Sequence, residues 1–312
     1  LVFTGLVSET QKIAVTDELF APVGQPSDGQ ELCYQTFGEP TAEPLLLVMG
    51  LSGPMTWWPE EFCEQLVGAG FFVIRYDNRD VGRSFRGTGR VTRGDLVKAF
   101  VGRPVAAPYS LSDMTSDGIA LLDHLGIHKS HICGMSMGGM IVQTMAIEHP
   151  TRVLSVTSVM SSTGSRKVGW QSPKLLPRLL KSPGRGREAY AEATATFWSF
   201  IGSPGFPTER AEVYRRALDT YDRGISGSGV LRQMMAILTQ PDRTAALASL
   251  PMPATVVHGL ADKMVHVSGG KATAKAAGAE LVLIDGMGHD LPRDLWPKII
   301  SAIRKTADRA TP

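Results

Sequence analysis

His131-Ile132-Cys133-Gly134-Met135-Ser136-Met137-Gly138-Gly139 decides the fold. Its first three residues begin a strand, and Met137 to His149 reads as a helix stopped by Pro150. Between them, Gly134-x-Ser136-x-Gly138 fits the G-x-S-x-G turn that presents a serine between strand and helix. That turn forces the serine into a strained backbone conformation, and side chains at the flanking positions would clash. The five residues alone are a weak signal, and the competing reading is a serine in an ordinary tight turn. The strand before them and the helix after them supply the context that the motif requires. Ser136 is the candidate nucleophile.

Outward from this turn, Leu45-Leu46-Leu47-Val48-Met49 and Phe71-Phe72-Val73-Ile74-Arg75-Tyr76 read as strands buried on both faces. Val153 to Met160, Ala254 to Val257 and Leu281 to Ile284 continue the series, and the alternating Glu31 to Phe37 suggests an edge strand. Residues 1–27 are unpatterned and are expected to wrap the surface. Ser112 to Leu125 has an apolar helical face closed by Gly126, and Lys271 to Ala277 and Asp294 to Ala307 are further helices. Strands alternating with helices at this spacing specify an α/β class with a parallel sheet covered on both faces. From Thr163 to Asp242 the strand pattern stops. Tyr190 to Phe200 and Glu209 to Tyr221 read as helices, and Gly224-Ile225-Ser226-Gly227-Ser228-Gly229 as a flexible turn. The expected organisation is a core of residues 1–162 and 243–312, interrupted by a helical cap at 163–242.

Composition narrows the function classes. The chain has 312 residues, 43% hydrophobic and 20% charged, with 32 basic against 30 acidic side chains. A net charge of +2 supplies no general attraction for nucleic acid. No apolar run reaches the ~18 residues needed to cross a bilayer. Cys33, Cys63 and Cys133 are odd in number and widely spaced, which fits neither a disulfide framework nor a zinc site. They are expected to be buried, and no metal or cofactor is expected. The amino terminus lacks the basic-then-apolar pattern of a secretory signal, so a cytoplasmic location is expected. One charge run stands out: Arg166, Lys167, Lys174, Arg178, Lys181, Arg185 and Arg187 have no acid among them. It reads as a solvated face, or else as an attraction for an anionic substrate or lipid surface.

A serine nucleophile needs a base, usually a histidine, and a carboxylate that orients it. His289 lies in Gly286-Met287-Gly288-His289-Asp290, directly after the last strand, where a loop at the sheet's carboxyl edge reaches Ser136. His258 ends its strand and reads as packed, while His266 is the competitor. Asp262 follows strand 254–257 by a short turn and is the candidate acid. Asp290 adjoins His289 and is badly placed to bridge back to its ring.

These residues resemble the α/β-hydrolase superfamily. Val48-Met49-Gly50-Leu51, Trp58-Pro59, the segment from Arg75 to Ser84 and Gly286-Met287-Gly288-His289 are similar to the subgroup containing aclacinomycin methylesterase. The resemblance covers residues 28–162 and 243–300. It implies the α/β-hydrolase fold with the helical cap inserted after the sixth strand. It also implies an oxyanion hole from the amides of Met137 and Leu51, with Ser52 or Gly53 as alternative donors. Many relatives carry His-Gly where this chain has Met49-Gly50; the departure removes a polar side chain behind the loop but keeps the donating amide. The same comparison makes Asp77-Asn78-Arg79-Asp80 a structural turn rather than a metal or phosphate loop. Trp57 and Trp58 read equally as pocket walls or core, and Phe197, Trp198 and Phe200 in the insertion as candidate pocket walls.

The expected activity is hydrolysis of a small-molecule carboxylic ester through an acyl-enzyme, with lipase, phospholipase, thioesterase or lactonase chemistry as alternatives on the same three residues. A ligand receptor built on the same fold is the non-enzymatic alternative. Serine at the turn argues against the aspartate-based dehalogenases and epoxide hydrolases. The chain's oligomeric state and its acyl and alcohol specificity have no readable code.

Overall fold

The computed structural model describes residues 13–175 and 185–310. Eight strands form one sheet: β1 Leu19–Val23, β2 Gln30–Phe37, β3 Glu43–Val48, β4 Phe71–Tyr76, β5 Ser130–Met135, β6 Val153–Val159, β7 Ala254–Gly259 and β8 Glu280–Ile284. Their order is β1-β2-β4-β3-β5-β6-β7-β8, antiparallel at the β1–β2 and β2–β4 pairs and parallel from β4 to β8. The sheet is an α/β-hydrolase sheet. The edge strand expected at 31–37 is an inner one. Residues 19–23, which carry no clear alternation, pair outside it because β2 supplies a ready hydrogen-bonding edge.

Helices cover both faces. The core helices are α1 Glu60–Gly68, α2 Arg93–Phe100, α3 Leu111–His124 and α4 Met137–Glu148. Ile74, Val48 and Ile132 pack against α3 and α4 on one face. Leu45, Leu47, Val73 and Cys133 pack on the other, against α1 and the last helix. This two-sided burial is why β3 and β4 read as continuous apolar runs.

Between β6 and β7 come α5 Arg187–Ile201, α6 Arg210–Gly224, α7 Gly227–Thr239 and α8 Thr244–Leu247, with no strand among the described residues. The glycine-rich 224–229 segment is not a free turn. The Ser226 side chain caps the Gly229 amide, so α7 begins at Gly227. The chain closes with α9 Ser268–Ala277 and α10 Trp296–Ala307, the latter preceded by a short 3-10 turn at Arg293–Leu295.

Strand order turns back at β3 and β5, so the carboxyl ends of these two strands flank the crevice where open α/β sheets bind ligands. Val48 leads into the 49–53 loop and Met135 into Ser136.

Candidate active site

Ser136 adopts φ 58 and ψ −117, outside the ordinary regions for a side-chain-bearing residue. Glycines make this possible, since a Cβ on Gly134 would overlap the Gly138 carbonyl and one on Gly138 the Val48 carbonyl. Donation from Ser136 N to Val159 O at 2.9 Å and from Ser161 Oγ to Ser136 O at 2.8 Å holds the turn from both sides.

Three loops at the carboxyl edge bring the expected residues together. Ser136 Oγ lies 3.0 Å from His289 Nε2, and His289 Nδ1 lies 2.8 Å from Asp262 Oδ2. Both Asp262 and His289 are buried. Burial alone would raise the Asp262 pKa, but the field of His289 and hydrogen bonds from His258 and His289 hold it well below the usual carboxylate range. Oδ1 also accepts the Met264 and Val265 amides at 2.8 and 2.9 Å. An ionised carboxylate only accepts, so Nδ1 carries the imidazole proton and Nε2 accepts from the serine hydroxyl.

The two competing histidines make other contacts. His258 is wholly buried; its Nε2 donates to Val265 O at 2.9 Å and lies 3.5 Å from Asp262 Oδ2. It supports the 262–265 loop from behind. His266 stacks on Trp170 with ring centroids 4.4 Å apart and contacts Ser268 through Nδ1.

The 49–53 loop separates the expected donors. Ser52 N donates to Gln233 Oε1 at 2.9 Å, and Gly53 N to Gly50 O at 3.2 Å, so both amides are engaged. Among the described residues, the Leu51 and Met137 amides have no acceptor. Met137 opens α4, where an unsatisfied N–H favours negative charge.

Trp58 is the core residue of its pair, completely buried and stacked on Phe62 with centroids 5.6 Å apart. Trp57 reaches the insertion instead. It meets Trp198 edge-on at 5.0 Å, donates from Nε1 to Thr220 Oγ1 at 2.9 Å, and shares the Arg216 guanidinium with Trp198. Phe197 is half-buried on the same helix and, among the described residues, makes none of these ring contacts.

The 77–80 segment is a turn, but it also anchors the insertion. Arg223 of α6 pairs with Asp77 at 2.7 Å and Arg232 of α7 with Asp80 at 2.6 Å. Tyr109 Oη–H donates to Asp80 Oδ2 at 2.7 Å. The same insertion meets the His289 loop, where His289 N donates to Ile201 O and Gly288 N to Ser203 Oγ, each at 2.8 Å. Sequence reasoning missed Gln233, Arg223 and Arg232, because nothing in their local pattern marks partners more than 140 residues away.

The basic run does not form one uniform face. Arg166 donates to the carbonyls of Ala99, Phe100 and Leu238, and Arg187 pairs with Asp222. Arg178 and Lys181 lie outside the described residues. No helix among the described residues is long and apolar enough to cross a membrane. Nor do they contain a group of three or more His, Cys, Asp or Glu side chains that could hold a metal.

Residues 43–292 match the alpha/beta hydrolase fold family, and the chain belongs to it. Within that family it is similar to esterases along most of its length. It is 28% identical to rhodomycin D methylesterase DnrP of Streptomyces peucetius, covering 89% of this chain and 95% of the relative. It is 29% identical to rhodomycin D methylesterase DauP of Streptomyces sp. (strain C5), covering 88% and 94%. The enol-lactonase from Burkholderia xenovorans LB400 superimposes with a TM-score of 0.71 at 23% identity, covering 93% of this chain and all of that one.

Proposed function

We propose that this protein is a serine hydrolase of carboxylic esters, with Ser136 as nucleophile, His289 as base and Asp262 as the group that orients it. The observation carrying this reading is the continuous relay from the Asp262 carboxylate through His289 to Ser136 Oγ, at 2.8 and 3.0 Å. His289 Nε2 takes the hydroxyl proton as Oγ attacks the ester carbonyl. Asp262 stabilises the imidazolium without taking its proton. The amides of Leu51 and Met137 receive the oxyanion. Collapse of the tetrahedral intermediate breaks the carbon–oxygen bond, and the alcohol leaves with the proton from His289. Water, deprotonated by the same imidazole, then releases the acid and restores Ser136.

Similarity to the two rhodomycin D methylesterases makes methyl esters, with rhodomycin D as one of them, the first substrate class to test. Residues 163–242 act as a cap whose Trp57–Trp198–Arg216 contact forms one wall of the acyl site. A fluorophosphonate probe should label Ser136, with label found on the peptide that contains it. A panel of methyl esters, p-nitrophenyl esters, lactones, thioesters and phospholipids ranks the leaving groups. Preference for thioesters or phospholipids overturns the carboxylesterase assignment and favours the thioesterase or lipase alternative. An unreactive Ser136 would favour a receptor on this fold.

A further inference from the structure

Helix α2 is apolar on two sides, and one of them faces outward. Leu96 and Ala99 pack with Leu231, Met235 and Leu238 of α7. Val97 and Phe100, three positions apart, share an outward side, and Val101 continues the stripe where the helix ends. These are the most exposed large apolar side chains among the described residues. Val97 and Val101 are 63% exposed and Phe100 67%, while no other exceeds 53%. Single exposed apolar residues are ordinary, but three within five positions form a patch of the kind that marks a docking surface.

The charges around the stripe have one sign. From Arg86 to Arg103 the chain has five basic residues and one acid, Asp95. Arg90, Arg93, Lys98 and Arg103 are all exposed. Asp95 is committed to starting the helix: its carboxylate accepts the Thr92 N–H at 3.0 Å and the Thr92 hydroxyl at 2.6 Å. Beside the carboxyl end of α2, a hollow of about 530 Å³ is lined by Arg103 and Arg166 together with Pro104 and Gln240. Arg166 donates to the carbonyls of Ala99 and Phe100, which keeps its charge next to the stripe.

Charge and size choose the occupant. A second copy of the chain would bring the same cations against one another. A stable protein interface takes roughly 20–30 residues a side. Insertion at a lipid surface needs only a few apolar side chains with cations beside them. We propose that α2 is a docking element for anionic phospholipid surfaces. Val97, Phe100 and Val101 enter the headgroup boundary, while Arg90, Arg93, Lys98 and Arg103 meet the lipid phosphates. Binding is read without turnover, so this inference stands or falls apart from the ester-hydrolase reading.

Cosedimentation with sucrose-loaded vesicles tests it, using phosphatidylcholine alone and phosphatidylcholine with about 30% phosphatidylglycerol. The wild type should bind the anionic vesicles about tenfold or more tighter than the neutral ones, and lose that preference in about 0.5 M NaCl. Phe100→Ser/Val101→Ser should weaken binding to the anionic vesicles by about tenfold or more. Arg93→Gln/Arg103→Gln should weaken it by about 10-fold to 30-fold and leave neutral vesicles unaffected. Both pairs should keep the wild-type melting temperature and, without vesicles, the wild-type turnover of p-nitrophenyl butyrate. Wild-type protein left in the supernatant with anionic vesicles overturns the inference and favours an acidic protein partner. Binding that Phe100→Ser/Val101→Ser leaves unchanged also overturns it, since charge alone would then carry the contact. A dimer in light scattering that the same pair splits would give the stripe to a second copy and overturn it as well.

Discussion

The turn at Ser136 and the helical insertion are fixed by different kinds of interaction. At the turn, Ser136 is placed by backbone: two glycines, an adjacent strand and the first turn of α4 leave its side chain little choice. The insertion is seated by side chains that cross long stretches of sequence, Arg223 to Asp77, Arg232 to Asp80 and Gln233 to Ser52. Chemistry built on backbone geometry shows itself as a motif. A contact between distant segments built on paired charges has no local signature, and either partner alone looks like any exposed charged residue.

The sharpest way to break this contrast is at the turn. Ser136→Ala should lower ester turnover by about 10³-fold or more and abolish fluorophosphonate labelling, measured beside a thermal melt that shows the fold intact. Retained turnover would remove Ser136 from the chemistry. Asp262→Asn comes next, with an expected loss of about 10³–10⁴ in kcat, because an amide no longer fixes the imidazole tautomer. A loss under tenfold would make the acid loop structural only.

The insertion should respond in stability. Arg232→Met leaves the Asp80 carboxylate buried without its main partner, which costs roughly 3–5 kcal/mol when a buried pair is broken. Denaturant unfolding measures it, and a cost below about 1 kcal/mol would make the contact incidental. The same pair sets a pH limb. Burial alone would raise the Asp80 pKa, but hydrogen bonds from Arg232 and Tyr109 hold it below its ordinary value of 3.8. Because the folded value is the lower one, this stabilisation is full above the unfolded value and is lost as pH falls through the folded one. The melting temperature should hold between about pH 8 and pH 5 and drop below about pH 4, less steeply in Asp80→Asn.

The smallest effect concerns the core. Burial pushes the thiols of Cys33, Cys63 and Cys133 up to about 12. A thiol reagent at pH 7.5 should leave all three unmodified in the native protein and react only after unfolding. Fast modification of any one would place it outside the packed core.

Most strands were legible because burial on both faces writes continuous apolar runs, and β4 matches its reading residue for residue. β1 was not, since an edge strand with one exposed face shows little pattern over five residues. Helix α7 was hidden by its glycines, which its cap makes tolerable only once Ser226 has folded back onto Gly229. At the candidate site, Ser136, Asp262 and His289 were legible from a motif and from their places after strands. The choice among Leu51, Ser52 and Gly53 was not, because it depends on which amide Gln233 occupies.

The sequence by itself determined the sheet, the strained serine and the places of Ser136, Asp262 and His289 after their strands, because strand burial and a tight turn are local demands on residue type. Only the tertiary structure decided that Trp58 is core while Trp57 faces the insertion. Tertiary structure alone also made Asp77 and Asp80 anchors for distant arginines and, among the described residues, left the Leu51 amide without an acceptor. Those outcomes turn on which groups meet across more than a hundred residues, and a buried charge or amide reveals its role only through the partner that satisfies it.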